Sequence, residues 1–177
     1  MSDSVKDKLI KTSLFIGLWL CASISGSAFA VGCTGMGEPG SAYIDIKNNS
    51  QQSLYLSGTV ISKGHDVKLT NFAGNCGKNM KCIPPYGVTG TIRVCALGDE
   101  SSLGVQGQII FLTAEEQIVP LLFKTVLNQS GYQPTLNLDK SYATIGSGIG
   151  TSTGLFCNKQ EDTVYQNAYF YCTYSGN

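Results

Sequence analysis

The sequence has one His, one Trp and one Arg in 177 residues. Only 14% of its residues are charged, and 12 Lys+Arg balance 12 Asp+Glu. An average soluble domain carries about 25% charged residues. Each scarcity excludes a class of function. Without a basic excess, the chain lacks the electrostatic footprint of a nucleic-acid binder. With one His, no metal site can be built on several imidazoles. Helix signals are rare, heptads are absent, and no repeat recurs at a fixed period. Past the N-terminal segment, no apolar run is long enough to cross a bilayer as a helix. The chain is 42% apolar, which is too much for a disordered protein.

Residues 1–30 have the organisation of a secretory signal peptide. Lys6, Lys8 and Lys11 outweigh Asp3 and Asp7 in a positive n-region. An apolar run from Leu14 to Ala22 follows, and Ala28-Phe29-Ala30 supplies the small-x-small cleavage pattern. Cleavage is expected after Ala30, which leaves a single domain over 31–177 in the periplasm or outside the cell. Ala30-Val31-Gly32-Cys33 also matches a lipoprotein signal, with Ala30 in place of the stronger Leu. Lipidation of Cys33 is therefore an alternative fate.

With Cys21 removed, six cysteines remain: Cys33, Cys76, Cys82, Cys95, Cys157 and Cys172. An even number on an exported chain implies three disulfides, although many pairings are open. Proximity favours Cys76–Cys82 and Cys157–Cys172, which would leave Cys33 with Cys95. Zinc is the competing use of cysteine. Five residues separate Cys76 from Cys82, too many for a zinc knuckle, and no second close pair matches them. No metal and no cofactor are expected.

The apolar pattern has period two, which predicts an all-β, antiparallel β-sandwich stabilised by disulfides. Ile44 and Ile46 alternate with Tyr43, Asp45 and Lys47, and the chain turns at Asn48-Asn49-Ser50. Leu54 and Leu56 share an inward face. Residues 66–69 and 91–95 alternate again. Residues 106–112 and 117–123 are more continuously apolar and flank Glu115-Glu116, as in a hairpin. Pro120 within the second run suggests an edge strand or a bulge. Residues 144–154 read as a long Gly-rich loop, and 168–174 as the last strand.

Motifs for catalysis are weak. Gly150-Thr151-Ser152-Thr153-Gly154 matches the G-x-S-x-G elbow, but a strand–turn–helix context and a downstream His are missing. Gly146, Gly148 and Gly150 lack the βαβ setting of a dinucleotide loop. His65 lies between Gly64 and Asp66 in a polar turn, where a lone imidazole is usually a surface group. The acidic pairs Asp99-Glu100, Glu115-Glu116 and Glu161-Asp162 lack calcium-loop spacing. An enzyme is not expected.

Aromatic residues carry more information. Tyr165, Tyr169, Tyr171 and Tyr174 crowd the C-terminus. On a strand, Tyr169 and Tyr171 share one face while Phe170 and Cys172 share the other. If the latter pair is inward, the tyrosines form an exposed aromatic patch suited to sugar faces or lipid headgroups. Arg93, the single Arg, alternates with Ile92 and Val94 and could clamp a carboxylate or phosphate.

Three groups of residues carry a family resemblance. They are Ile44-Asp45-Ile46-Lys47-Asn48-Asn49-Ser50 with Leu54 and Leu56, Ile83-Pro84-Pro85 with Gly87 and Gly90, and Gly104 to Phe111. Over this region, about half of the domain, the chain resembles the aegerolysins. These are small secreted β-sandwich proteins that bind membrane lipids, sometimes with a pore-forming partner. The resemblance implies a non-catalytic, cytolysin-like binding module and transfers no catalytic residue. The leading expectation is thus a module for a membrane lipid or glycan surface, with Tyr165, Tyr169, Tyr171, Tyr174 and Arg93 as ligand residues. A structural or adhesive envelope protein, engaging a protein partner or forming a homo-oligomer, is the alternative. A secreted hydrolase ranks last.

Alkylation of the unreduced, processed protein tests the cysteine reading. No label should be incorporated without reductant, and six labels should appear after reduction and unfolding. Labelling before reduction would rule out three bridges.

Overall fold

A computed structural model describes residues 38–74, 76, 79–96, 104–129, 134–146 and 155–176. All of these lie in one compact unit, Val31–Asn177. The expected signal segment 1–30, Cys33, the pair Asp99-Glu100, Gly148, Gly150 and Ser152 fall outside the described residues.

The described residues form thirteen strands and no helix. In chain order they are β1 (Ala42–Asn48), β2 (Leu54–Lys63), β3 (His65–Thr70), β4 (Cys82–Ile83) and β5 (Val88–Cys95). Next come β6 (Gln106–Leu112), β7 (Ile118–Lys124), β8 (Leu127–Asn128), β9 (Thr135–Leu136) and β10 (Tyr142–Ile145). The last three are β11 (Leu155–Phe156), β12 (Asn158–Asp162) and β13 (Asn167–Tyr174).

Two sheets make the sandwich. A five-stranded sheet has the order β12-β13-β1-β5-β3, and a six-stranded sheet has the order β11-β10-β7-β6-β2-β4. A short β8-β9 ladder stands apart. Every strand pair is antiparallel except β1 with β13, which run parallel from Ala42↔Ala168 to Asn48↔Tyr174. Long-range closure of the first strand against the last cannot be read from local alternation.

The core follows from strand parity. Ile44, Ile46, Ile92, Val94 and Phe170 point inward from one sheet, and Ile109, Phe111, Val119, Leu121 and Phe123 from the other. All ten are essentially inaccessible to solvent. A fully buried side chain of this kind contributes roughly 1.5–3 kcal/mol relative to exposure. The expected inward positions of Ile44, Ile46 and Leu54 are therefore found. Leu56 is partly buried and packs against the same core.

Two disulfides match the proximity argument: Cys76–Cys82, and Cys157–Cys172 with Cα atoms 4.4 Å apart. The second joins the β11–β12 junction to β13. Its sequence separation of 15 corresponds to about 3 kcal/mol of restricted unfolded-state entropy. Cys95 is disulfide-bonded as well. Its partner lies outside the described residues, since the other described cysteines are paired with each other. These bridges are consistent with an oxidising compartment.

Several local expectations are corrected. Pro120 is not on an edge strand: β7 lies between β6 and β10. It is tolerated where β10 ends, and its carbonyl still accepts from Gly146 N at 3.0 Å. Thr144 and Ile145 belong to β10 and not to a loop. The strand after Leu54 continues to Lys63, past Gly58, with register shifts after Leu56 and Ile61. Gly58 therefore marks an irregularity within the strand. The Glu115-Glu116 hairpin is present, with Glu116 at φ 62 in the turn.

Asn48, expected as a simple turn residue, is fully buried. Its Nδ2 donates to the carbonyls of Gln52, Ile83 and Pro84 at 2.8–3.1 Å. Its Oδ1 accepts from Ser50 N and Ser50 Oγ. One amide thus ties the end of β1 to the β1–β2 connection and to the segment leaving β4. Asn48→Ala should orphan these buried groups and cost about 3 kcal/mol. Urea unfolding should show a lower midpoint at unchanged slope. An unshifted midpoint would mean that the network is energetically idle.

Candidate functional site

The outward face of the five-stranded sheet carries the candidate site. Ile44 and Ile46 are drawn into the core, so β1 must turn Tyr43, Asp45 and Lys47 outward. The same parity buries Phe170 and Cys172 and turns Tyr169 and Tyr171 outward. On β5, burial of Ile92 and Val94 leaves Thr91 and Arg93 on the outer side.

Register then decides which of these residues meet. One row across the sheet reads Lys68, Arg93, Tyr43, Tyr169, Gln160. The next reads Thr70, Thr91, Asp45, Tyr171, Asn158. Because β1 and β13 are parallel and in register, the Tyr43 and Tyr169 rings stack at 4.6 Å with planes 10° apart. The Arg93 guanidinium carbon sits 5.0 Å from the Tyr43 centroid, within cation–π range. Thr91 Oγ1 donates to Asp45 Oδ1 at 2.7 Å, which holds that carboxylate beside the aromatic row.

Beyond Tyr169 the row becomes polar and acidic. Gln160, Glu161, Asp162, Thr163, Tyr169 and Tyr171 line an open groove of about 290 Å³. Asp162 Oδ1 accepts from the backbone N–H groups of Val164 and Tyr165, which orders the β12–β13 turn. The face therefore runs from cationic at Lys68 and Arg93, through aromatic, to anionic at Asp162.

Two atoms of this array are left wanting. Arg93 Nε and Nη2 are shielded from solvent and have no hydrogen-bond acceptor. A buried donor without a partner is costly, and for a charged group more so. The π face of Tyr43 offsets this only in part.

Burial raises the phenol pKa of Tyr43, Tyr169 and Tyr174. At Tyr43 the Arg93 charge works against this rise, while Tyr169 and Asp162 add to it. At Tyr169 the carboxylate of Asp162 reinforces burial, followed by Tyr171.

The structure brings three of the five expected ligand residues together: Arg93, Tyr169 and Tyr171, the last 43% exposed. Tyr165 is exposed in the adjoining turn. Tyr174 does not join them. It shares parity with Phe170 and Cys172, packs with the core and is only 7% exposed. Its ring lies at the end of the sandwich, beside Ser50, Gln52 and Gly176. Sequence reasoning did not bring Tyr43, Lys68 or Gln160 to this face, and weighed Asp162 only with Glu161 as a calcium pair. The alternation around Ile44 already placed Tyr43 outward, but the parallel pairing that stacks it on Tyr169 had no local signal.

Of the remaining motifs, Glu161-Asp162 lines the groove of this face, and His65, expected in a polar turn, instead opens β3 of the same sheet. Glu115-Glu116 forms the β6–β7 turn, and Ser152 lies outside the described residues. Among the described residues, no group of three or more His, Cys, Asp or Glu side chains is placed to hold a metal. No family model matches the chain, and no curated protein is significantly similar to it.

Alkaline titration tests the burial of the tyrosines. Their neutral forms are favoured in the folded state, so the unfolded chain ionises first. The stability due to this effect is complete below the ordinary phenol value of 10.0 and is lost as pH rises through the elevated folded values. Tyrosinate absorbance should show a late component, reduced in Tyr43→Phe and in Tyr169→Phe. A titration without that component would contradict the assigned burial.

Proposed function

We propose that this chain is an exported, non-catalytic binding module whose five-stranded sheet face takes the headgroup of a membrane lipid. The observation that carries this reading is the single row from Arg93 over Tyr43, through Tyr169, to the acidic groove at Asp162. That order complements a zwitterionic headgroup. Arg93 supplies a guanidinium, which binds a phosphate in bidentate fashion once its shielded Nε and Nη2 are uncovered. Tyr169 and Tyr171, next to Asp162, offer π faces and a carboxylate for an ammonium group. Export is supported by the signal-like segment 1–30 and by the disulfides. The resemblance to aegerolysins points to the same class of ligand.

A glycan is the second reading, favoured by the groove itself. Gln160, Glu161, Asp162 and Thr163 present hydrogen-bonding groups beside tyrosine rings. Sugars are bound in that way, through hydroxyl contacts and ring faces.

Co-sedimentation of the oxidised protein with vesicles separates these readings. Zwitterionic phospholipid vesicles should retain the protein, and Tyr169→Ala combined with Tyr171→Ala should weaken binding about tenfold or more. Arg93→Lys should weaken it less than Arg93→Ala, because the charge survives and the fork does not. Unchanged binding in the tyrosine variant would refute the patch. Binding only to glycolipid vesicles, or to none, would discard the phospholipid reading.

A further inference from the structure

The outward face of the six-stranded sheet has a different character. Its inward residues, Ile109, Phe111, Val119, Leu121 and Phe123, are buried. Parity therefore turns Ile110, Leu112, Ile118, Pro120 and Leu122 outward. One row across this face reads Val60, Gln108, Leu122, Thr144, Phe156. Phe156 is 79% exposed, Val60 60% and Leu122 42%. A solvated face of an antiparallel sheet normally alternates to polar residues, as the five-stranded sheet does with Asp45, Lys47, Lys68, Thr91 and Arg93. Here the outward positions from Ile110 to Leu122 on β6 and β7 are apolar, with Gln108 and Thr144 beside them, an excess typical of covered surfaces.

Charge selects the occupant. Lys63, Gln106, Lys124 and Tyr142 form the row at one end of the face. At the other end the β6–β7 hairpin turns through the exposed Glu115 and Glu116. Strands β2, β6, β7, β10 and β11 contain no acidic residue. The face is thus cationic at one end, apolar in the middle and acidic beyond the other end. Turned half a revolution about an axis lying in the face and perpendicular to its strands, the pattern complements itself.

We propose that this face pairs with the same face of a second copy, with Lys63 and Lys124 of each copy opposite Glu115 and Glu116 of the other. Such a two-fold contact is isologous and closes at the dimer. Five strands at about 4.8 Å and up to seven residues at about 3.3 Å bound the footprint at roughly 550 Å² per copy. Standard stable interfaces bury about 800 Å² per partner. The dimer is therefore a weak one that dissociates on dilution. A bilayer fits the face less well, since Glu115 and Glu116 would approach anionic headgroups.

The arrangement has a functional consequence, which rests on the reading proposed above. Stacking through the six-stranded sheets points the two tyrosine faces in opposite directions. A dimer then binds two surfaces at once and bridges them, and a monomer cannot.

Sedimentation velocity without lipid tests the dimer independently of any ligand. The average mass should rise with concentration toward twice that of the monomer. Leu122→Glu should hold the protein monomeric, and its exposed position leaves the core intact, which circular dichroism checks. Lys124→Glu should weaken association several-fold, and adding Glu116→Lys should restore it. In a second arm, wild type should cluster those vesicles that retain it, while Leu122→Glu should bind them without clustering. A wild type that stays monomeric at all concentrations would overturn the proposal. Failure of the charge swap to restore association would overturn the assigned orientation. Loss of vesicle binding in Leu122→Glu, with a monomeric wild type, would assign the face to the bilayer instead.

Discussion

The register of β1 is the constraint on which the rest depends. This strand is paired on both sides along its whole length, parallel to β13 and antiparallel to β5. A slip of one residue would exchange its two faces, placing Tyr43, Asp45 and Lys47 in the core and Ile44 and Ile46 in water. Ile44 and Ile46 are fully buried, so that alternative carries a heavy hydrophobic penalty. The Asn48 amide locks the end of the strand through bonds that only one register satisfies. Core and candidate site are thus two sides of one decision, since the alternation that packs the interior also assembles the tyrosine row.

Covalent links reinforce this arrangement where the sheets come together. Cys157 stands between β11, in one sheet, and β12, in the other, and its bond to Cys172 ties that crossing to β13. Cys157 N also donates to the Ala143 carbonyl, so one residue joins both sheets by different means. The chain carries few charges. Its stability rests on apolar burial, backbone ladders and a small number of fully satisfied buried amides and hydroxyls. Thr125 is another such hub: its hydroxyl accepts from Val105 N and donates to the Gly40 carbonyl. A Cβ at Gly104 would collide with the Thr125 carbonyl, and the φ of +71° there is one that glycine adopts freely.

The two outer faces divide the chemistry between them. One is graded in charge around stacked rings, from Lys68 and Arg93 to Asp162. The other is apolar, bordered by lysines at one end and glutamates at the other.

Local sequence was sufficient for the class of fold. Period-two alternation identified the all-β character, the inward role of Ile44, Ile46 and Leu54, and the hairpin around Glu115-Glu116. Short spacing identified both described disulfides, because a closed loop of few residues brings its ends together at small entropic cost. The outward parity of Tyr169, Tyr171 and Arg93 was legible for the same reason. Parity within one strand, however, says nothing about which strand lies beside it. The parallel partnership of β1 with β13 joins residues more than a hundred positions apart in the chain. The antiparallel pairing of β1 with β5 places Arg93 over Tyr43, and Tyr174 is kept off the face by its own parity. Only the parallel pairing stacks Tyr43 on Tyr169. It was decided by the closure of the sandwich, through the shared requirement to bury both strands' apolar sides at once.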